Sequence, residues 1–511
     1  MLKCSHLTLT LPDGRVLLSD LSFTMQDADH LALVGEEGDG KSTLLKIIAG
    51  ETPDYVRITG SFYSDWKMGF LPQQIPEVWQ SFTPLDYLLA PAPGQPIEPE
   101  AWSLCPQLEE AARQTGLNPD LLYEERPVFT FSGGEKVRLA LIRVLMDEPD
   151  CYLLDEPAND LDLDSLLWLE NWIDHNPKPV LFISHDIRLL QRCARKILHL
   201  ELRNKKTSPV WTLFSGSWDD YLENRTASRS KLLQKAAGEK REYQKQKQRL
   251  NDLSNKVEHE LRTVSRQQPH QAKVLKKKMK TVRSAQQALE DQGFTRTDSL
   301  EEAASFFLPD APFPAGKKIL DETLEVRQND QVLIEPFALS LYGPVRIVFT
   351  GPNGCGKTTL LRQIQARLEQ RDDLKAGWMP QDYDSVFEPE DTPVSFLLRF
   401  SPDLQLIQTR LGSMRFLPSE MNQSVFECSG GQKAKLILAS LALQNCNVLL
   451  LDEPTRNLSA LTIGVLCDAL KESPAALIAV SHDRAFMEAL FDQKGVIENH
   501  QFHIEPMEKT E

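Results

Sequence analysis

The feature that most constrains this chain is an internal duplication. The pattern G-x-x-x-x-G-K-[S/T] occurs twice, in a first phosphate loop at 35–43 (GEEGDGKST) and a second phosphate loop at 351–359 (GPNGCGKTT). Each copy is followed, in the same order, by an SGG tripeptide, an LLDEP run and an SHD tripeptide. Ser132 and Ser429, in the two SGG tripeptides, are 297 residues apart, and the LLDEP and SHD motifs repeat at the same offset. This self-similarity predicts two copies of one domain.

The residues around the motifs predict an α/β fold for both copies. HLALVG at 30–35 and VRIVFTG at 345–351 are short apolar runs that end in glycine, and helical spacing follows each of them. The apolar runs that end in the acids of LLDEP are typical of buried parallel strands that reach a ligand-binding edge. We therefore predict nucleotide-binding α/β domains at 1–216 and 313–511, called the first half and the second half below, with a different segment at 217–312.

The segment between the halves predicts two long antiparallel helices. It is rich in Lys, Gln, Arg, Glu and Ala and has a single proline, Pro269, between Trp218 and Ala288. Its apolar residues recur every three or four positions: Leu250, Leu253, Val257, Leu261 and Val264 before the proline, and Leu275, Met279 and Val282 after it. We expect a turn near 265–271 and a helical hairpin that projects from the halves.

Positive charge is concentrated in this hairpin. Residues 225–290 contain 18 Lys and Arg against 6 Asp and Glu, a net charge of +12, whereas the whole chain carries −16 and the remainder therefore −28. A basic insert in an acidic protein predicts one element that binds a polyanion such as RNA. A solvated pair of charged helices is the alternative interpretation.

The repeated loops carry the chemistry of phosphate binding. Successive backbone N–H groups and the positive end of the following helix bind phosphate oxygens, while the lysine and the hydroxyl reach the terminal phosphates and Mg²⁺. We expect the following loop residues to bind the phosphates of a nucleotide: Gly35, Gly38, Gly40, Lys41, Ser42 and Thr43 in the first loop, and Gly351, Asn353, Gly354, Gly356, Lys357, Thr358 and Thr359 in the second.

The acids and histidines of the later motifs predict hydrolysis. In each LLDEP run we expect the first acid, Asp155 or Asp452, to support the magnesium ion and the second, Glu156 or Glu453, to polarise the attacking water. The histidines that end the next predicted strand in each half would contact the terminal phosphate and keep the water aligned; these are His185 and His482.

Taken together, these motifs resemble the ATP-binding cassette (ABC) family over nearly all of both halves. Two cassettes without membrane helices, joined by a charged helical pair, most resemble the ABC-F family, whose members bind the ribosome and act on translation. The run EPANDLDLD at 156–164 and the segment FSGSWDDYLENR at 214–225 are also similar to ABC-F sequences.

The resemblance implies that the halves close head to tail within one monomer. Each ATP would then lie between the phosphate loop of one half and the SGG tripeptide of the other. One pocket would add Gln73, Asp155, Glu156 and His185 to the first phosphate loop and face Ser429, Gly430 and Gly431. The other would add Gln381, Asp452, Glu453 and His482 to the second phosphate loop and face Ser132, Gly133 and Gly134. The implied magnesium ligands are Ser42, Gln73, Asp155, Thr358, Gln381 and Asp452.

Two departures from the family pattern fall in these motifs. Glu36 and Glu37 stand in the first phosphate loop where neutral residues are usual, and TRNLS at 455–459 lacks the usual terminal acid. Two acids beside a polyphosphate are electrostatically unfavourable. We expect the first pocket to bind ATP more weakly or to turn these acids outward, and we expect two hydrolytic pockets with unequal rates.

The resemblance also implies a partner, the 70S ribosome. The hairpin would contact ribosomal RNA and P-site tRNA, with its tip near the peptidyl-transferase centre, and protection against ribosome-targeting antibiotics is the favoured interpretation. The residues expected to contact RNA are Arg266, Lys273, Lys276, Lys277, Lys278, Lys280 and Arg283. A housekeeping ABC-F translation factor that relieves stalled ribosomes is the alternative.

Other functions and locations are less compatible with the sequence. The fused double-cassette ATPase of an importer would need a membrane partner and no basic projection, and a DNA-repair ATPase generally inserts its coiled coil inside a cassette. The eight cysteines form no C-x-x-C pair and the chain starts without a secretory signal, so we expect a reducing cytoplasm and no membrane association.

Overall fold

The computed structural model describes residues 1–159, 161–203, 208–263, 269–292, 306–328 and 331–507. The chain forms two compact units. One contains both halves, Met1–Trp218 together with Ala303–Glu511, and the other is Asp219–Glu302. The boundaries 216/217 and 312/313 given by the sequence remain predictions of domain limits.

The first half is built on a mainly parallel sheet. Its strands are β1 Leu2–Thr10, β2 Val16–Met25, β3 His30–Val34, β4 Arg57–Ser64, β5 Met68–Leu71, β6 Cys151–Asp155, β7 Val180–Ile183, β8 Lys196–Leu202 and β9 Ser208–Ser215. Its helices are α1 Lys41–Ile48, α2 Glu77–Gln80, α3 Pro84–Leu89, α4 Cys105–Gln114, α5 Gly133–Met146, α6 Leu163–Asp174 and α7 Ile187–Cys193. The six-stranded sheet has the order β5-β6-β7-β3-β8-β9, in which only β9 is antiparallel. A separate antiparallel sheet has the order β2-β1-β4.

The second unit is a helical hairpin, formed by α8 Trp218–Thr263 and α9 Pro269–Gln292. Ser254 Oγ lies 3.8 Å from Met279 Sδ, and Gln286 Nε2 donates to Asn251 Oδ1 at 3.0 Å. Earlier residues of α8 therefore pair with later residues of α9, so the helices are antiparallel, as predicted.

Among the described side chains of the hairpin, three of the predicted apolar positions are buried, two are partly buried and one is exposed. Val257, Met279 and Val282 are 1%, 9% and 3% exposed, whereas Leu253 is 38% exposed. A two-helix hairpin has one seam, and a residue on its flank stays partly in water. Within the predicted turn, 264–268 lie outside the described residues and α9 already begins at Pro269.

The second half repeats the fold of the first. Its strands are β10 Lys318–Gln328, β11 Gln331–Tyr342, β12 Arg346–Thr350, β13 Ala376–Met379, β14 Val448–Asp452, β15 Ala476–Val480, β16 Gln493–Glu498 and β17 Gln501–Pro506. Its helices are α10 Lys357–Leu368, α11 Pro393–Leu398, α12 Leu404–Ser413, α13 Gly430–Gln444, α14 Ala460–Glu472 and α15 Arg484–Leu490. The six-stranded sheet has the order β13-β14-β15-β12-β16-β17, which matches the first half strand for strand. The predicted α/β class and the duplication are confirmed.

The sheets position the motifs. Every residue of β3, β6, β14 and β15 is buried, as the apolar runs predict for central strands covered on both faces. The phosphate loops leave β3 and β12, and the LLDEP acids end β6 and β14. Because carboxyl ends of parallel strands meet at one edge, each half gathers its motifs there. None of the helices among the described residues is both long and apolar enough to cross a membrane.

Candidate functional site

Glycine conformation shapes both phosphate loops. Gly40 and Gly356 precede α1 and α10 with φ of 88° and 101°, in the left-handed region that favours glycine. A Cβ at Gly35 would lie 2.5 Å from the Leu200 carbonyl oxygen, and one at Gly351 would lie 2.5 Å from the Ile497 carbonyl oxygen. Any other residue at Gly35 or Gly351 would therefore push its phosphate loop away from the neighbouring strand.

The loop lysines are held by backbone carbonyls. Lys41 Nζ donates to the carbonyl oxygens of Gly35 at 3.0 Å and Glu36 at 2.9 Å. Lys357 Nζ donates in the same way to Gly351 and Pro352, both at 2.8 Å. Burial lowers the pKa of Lys357. Both ammonium groups thus lie inside their loops, where phosphate oxygens would bind.

The hydroxyl and the first acid of each half lie together. Ser42 Oγ donates to Asp155 Oδ1 at 2.9 Å, and Thr358 Oγ1 donates to Asp452 Oδ1 at 3.2 Å. Burial raises the pKa of both aspartates. Asp452 Oδ2 is buried without a hydrogen-bond partner among the described residues. Hydroxyl and carboxylate oxygens are ligands that Mg²⁺ prefers, so the donors present fit this ion.

Glu156 is held in a dense polar cluster. His185 Nε2 lies 2.9 Å from Glu156 Oε1, and Oε2 accepts from Asn159 Nδ2 at 2.5 Å and from Gln73 Nε2 at 3.2 Å. Burial acts to raise the pKa of Glu156, but His185, Lys41 and Asn159 together lower it to about 2. This carboxylate is therefore ionised and fully engaged.

Glu453, the counterpart in the second half, has looser contacts. His482 Nε2 lies 3.7 Å from Glu453 Oε1, and the His482 backbone N–H donates to Oε2 at 3.4 Å. Burial and the neighbouring Asp452 raise the pKa of Glu453 to about 8. Burial and Lys357 lower the pKa of His482 to about 4. The same sequence motif thus has two different environments.

A cavity of about 390 Å³ opens at the second phosphate loop. This volume is in the range of ligand pockets. Its lining in the second half includes Asn353, Gly354, Gly356, Lys357, Thr358, Thr359, Gln381, Glu453 and His482, and its lining in the first half includes Ala158, Asn159, Leu161, Leu166, His185 and Asp186. Both halves therefore form one pocket, and Gln381 lines it together with the second phosphate loop.

The first SGG tripeptide lies elsewhere. Of the described residues that line the cavity, none belongs to 132–134, although the resemblance implied that these residues face the second phosphate loop. Ser132 Oγ instead caps α5 by accepting from the Glu135 N–H at 3.3 Å, and a Cβ on Gly134 would lie 2.3 Å from Ser165 Oγ. Ser429 caps α13 in the same way, accepting from Gln432 N–H at 3.3 Å.

The first phosphate loop contacts the second half through its two acids. Glu37 Oε2 accepts a hydrogen bond from the Gly431 N–H at 2.9 Å. Glu36 Oε1 accepts from the hydroxyls of Ser459 at 2.9 Å and Thr462 at 2.8 Å. Both acids thus reach across to groups of the second half.

Helices α6 and α7 of the first half form ion pairs with α15 of the second half. Arg188 pairs with Glu488, and Arg484 pairs with Glu170, whose side chain is 3% exposed. The sequence motifs gave no signal for these four residues, because each pair joins residues about 300 positions apart. The signal for Ser459 was present, since it replaces an acid of the family pattern.

The hairpin displays the predicted cations on its surface. Lys273, Lys276, Lys277, Lys278, Lys280 and Arg283 are all exposed, whereas Met279 and Val282 on the same helix are buried. The basic side chains therefore lie off the apolar seam. Arg266 lies outside the described residues.

Comparisons with known proteins agree with this architecture. A family model described as "ABC transporter" matches residues 18–159 and 334–456. "Probable ATP-binding protein YheS" of Escherichia coli K12 is 27% identical over 97% of this chain and 78% of its own length. "Energy-dependent translational throttle protein EttA" of the same strain is 29% identical over 94% of this chain and 89% of its own length.

A solved structure is similar at the level of fold. It is the "complex of archaeal ribosomal stalk protein aP1 and archaeal ribosome recycling factor aABCE1", with a TM-score of 0.61 and 18% identity over 97% of this chain and 89% of that chain. At this identity the likeness concerns the fold alone.

Proposed function

The chain belongs to the ATP-binding cassette family, and on that premise we propose that it is an ABC-F ATPase that binds the ribosome and acts on translation. The observation that carries the proposal is the cavity at the second phosphate loop, which is lined by both halves. A ligand bound there contacts two bodies of the chain at once. Its binding or loss therefore changes how firmly the halves hold together.

The second pocket contains the groups that hydrolysis requires. Bound ATP with Mg²⁺ supplies the phosphoanhydride bond and the charge that polarises it. Lys357 and Thr358 would hold the phosphates, and Asp452 would hold the ion. Glu453 would orient a water molecule and, in its ionised form, accept the proton of that water, with His482 Nε2 3.7 Å from its Oε1.

The first pocket has the same set of groups in a different arrangement. We propose Gly35, Gly38, Gly40, Lys41, Ser42 and Thr43 as its phosphate-binding residues, with Asp155 and Gln73 near the ion and Glu156 and His185 near the water. Residues 429–431 face it from the second half. Because Glu156 is bound by three partners, we expect this pocket to contribute little to turnover.

The basic hairpin supports a ribosomal partner. Six exposed cations on α9 present a surface for RNA phosphates, and an A-form helix is recognised mainly through its backbone and shape. Similarity to the translational throttle protein EttA supports a role in translation. By this proposal the hairpin contacts ribosomal RNA and P-site tRNA, and hydrolysis releases the chain.

A general translation factor is the form of the proposal that the relatives support best. Protection against ribosome-targeting antibiotics is a narrower form that would use the same hairpin, and it stays a prediction from the sequence. An importer ATPase would leave the cations of α9 without a role.

The proposal is tested with the variant Glu156→Gln/Glu453→Gln. The amides keep the pocket shape but do not accept the proton of the water, so the ATP-bound form should persist. We expect this variant to co-sediment with 70S ribosomes in ATP several times more than the parent, and imaging of the complex should find the hairpin beside P-site tRNA.

Matched exposed acids supply the control. Glu51→Gln/Glu369→Gln removes the same charge from the surface of the two halves, and it should sediment like the parent. Equal sedimentation of the trapped variant and this control would contradict the proposal. If Lys357→Ala leaves ribosome binding in ATP unchanged, the proposed role of the second pocket is wrong.

A further inference from the structure

Two departures from the family pattern form a single contact. Glu36 and Glu37 are the unusual acids of the first phosphate loop, and Ser459 stands where the first half has Asp162, 297 positions earlier. In the structure the Ser459 hydroxyl donates to Glu36 Oε1 at 2.9 Å. An aspartate at 459 would place a second carboxylate against Glu36. The unusual acid at Glu36 and the missing acid at Ser459 therefore fit each other, because the serine hydroxyl donates a hydrogen bond where an aspartate would repel.

Glu37 carries the second part of this contact. Its Oε2 accepts from the Gly431 N–H at 2.9 Å, at the start of the 15-residue helix α13. Free N–H groups at a helix start bind anions, and in this arrangement the anion is a side chain of the facing phosphate loop. The donor that would meet the terminal phosphate of a nucleotide in that loop is thus already bound.

Glu36 is stabilised as an anion in the interface. Thr462 Oγ1 donates to Oε1 at 2.8 Å, beside the bond from Ser459. Burial acts to raise its pKa, but Lys435, the two hydroxyls and Arg415 lower it to about 2. All of these partners belong to the second half. The carboxylate is therefore held by the other half and not by a ligand.

We infer that Glu37 is a built-in substitute for the terminal phosphate at the first interface, and that Glu36 and Ser459 lock it there. The first phosphate loop then docks on α13 and α14 without a nucleoside triphosphate, and it rejects the terminal phosphate by charge repulsion and by occupancy of the Gly431 N–H. Only the second pocket takes a triphosphate in the closed chain.

The second phosphate loop provides an internal contrast. Its equivalents of Glu36 and Glu37 are Pro352 and Asn353, which carry no charge, and Asp162 lies on the facing half. The cavity of about 390 Å³ lies at this second loop. One interface is therefore closed by side chains, and the other is left for a ligand.

The inference is tested first by amide hydrogen exchange of the isolated chain without nucleotide. The peptide that contains Gly431 should be protected in the parent. Glu37→Asn should raise the exchange of the Gly431 amide by at least about tenfold, since the side chain loses its charge and is one methylene shorter. The peptide that contains Gly134, the equivalent glycine, should become protected only when Mg²⁺ and the non-hydrolysable analogue AMP-PNP are added. The exposed substitution Glu51→Gln should change neither peptide.

Nucleotide counting gives a second measurement that does not depend on exchange. By equilibrium dialysis we expect the parent to bind one AMP-PNP per chain, and the variant Glu36→Pro/Glu37→Asn/Ser459→Asp, which copies the second interface, to bind two. Two molecules bound by the parent with similar affinities would overturn the inference. The inference is also overturned if Glu37→Asn leaves the exchange rate of the Gly431 amide unchanged.

The inference rests on the proposed ATPase function but fails separately from it. Both measurements use the isolated chain and a nucleotide analogue, whereas the translational role is read from ribosome co-sedimentation. A parent that binds one AMP-PNP but never associates with ribosomes would refute only the proposed function.

Discussion

Glu156 and Glu453 show how one residue in one motif acquires two environments. Both follow an aspartate at the end of a buried strand, and both have positive φ, 49° and 50°, which only the surrounding structure can impose on a non-glycine residue. Glu156 accepts from Asn159, whereas Arg456 stands at the equivalent position beside Glu453. The role of the motif was predictable from sequence, but the difference between its copies depends on neighbours outside it.

Single glutamine variants should separate the two pockets. If the second pocket carries most of the turnover, Glu453→Gln should lower the steady-state ATPase kcat by about 10²-fold or more, because the base that accepts the proton of the water is lost. Glu156→Gln should lower it by less than about threefold, since Glu37 keeps a terminal phosphate from the first pocket. Phosphate release at saturating ATP measures both. Equal losses in the two variants would show that the pockets share the turnover.

At the scale of elements, helix α9 separates its two roles by side-chain direction. Met279 and Val282 pack in the seam with Val257 of α8, and Lys276, Lys277 and Lys278 face water. The sequence predicted both sets, because spacings of three and four place residues on one face of a helix. The sequence placed Leu253 in the seam, but this side chain is exposed. Periodicity gives the face of a helix that packs, and it does not give the width of the contact with one partner helix.

Neutral side chains at these three lysines should weaken ribosome binding. We expect Lys276→Gln/Lys277→Gln/Lys278→Gln to bind more weakly at low salt and to reduce the slope of log K against log salt concentration by about 2, because fewer counterions are released. Three exposed lysines of the halves serve as the control, in the variant Lys3→Gln/Lys318→Gln/Lys471→Gln. If both variants show the parent's slope of log K against log salt concentration, the lysines of the hairpin do not contact RNA.

At the scale of the whole molecule, buried charge lies where the two halves meet. Asp483 caps the start of α15 and accepts from the Phe486 N–H at 3.0 Å, while Asp186 caps the start of α7 in the first half. Burial and Asp186 raise the pKa of Asp483 to about 7, and the carboxyl of Glu453 is a further acid nearby. Burial also raises the pKa of Asp186. The interface therefore favours the protonated acids.

The stability of the chain should consequently fall as pH rises towards neutrality. The raised pKa of Asp483 contributes stability that is fully present below its unfolded pKa and is lost as pH passes through about 7. Asp483→Asn keeps the helix cap and carries no charge, so it should raise stability at pH 8 by about 1–2 kcal/mol and leave pH 4 nearly unchanged. Thermal unfolding of both proteins across this pH range measures the difference, and parallel curves would contradict it.

The sequence by itself determined the duplication, the α/β class, the strand–loop–helix placement of both phosphate loops, and the basic hairpin. These features depend on local patterns, in which each residue's role follows from neighbours a few positions away. Only the tertiary structure decided that Glu36 and Glu37 bind Ser459 and Gly431, that Arg484 pairs with Glu170, and that the cavity forms at the second loop. The partners in these three hydrogen-bonded contacts are 423, 394 and 314 residues apart in the chain, and hydrogen bonding and burial choose them only when the halves meet.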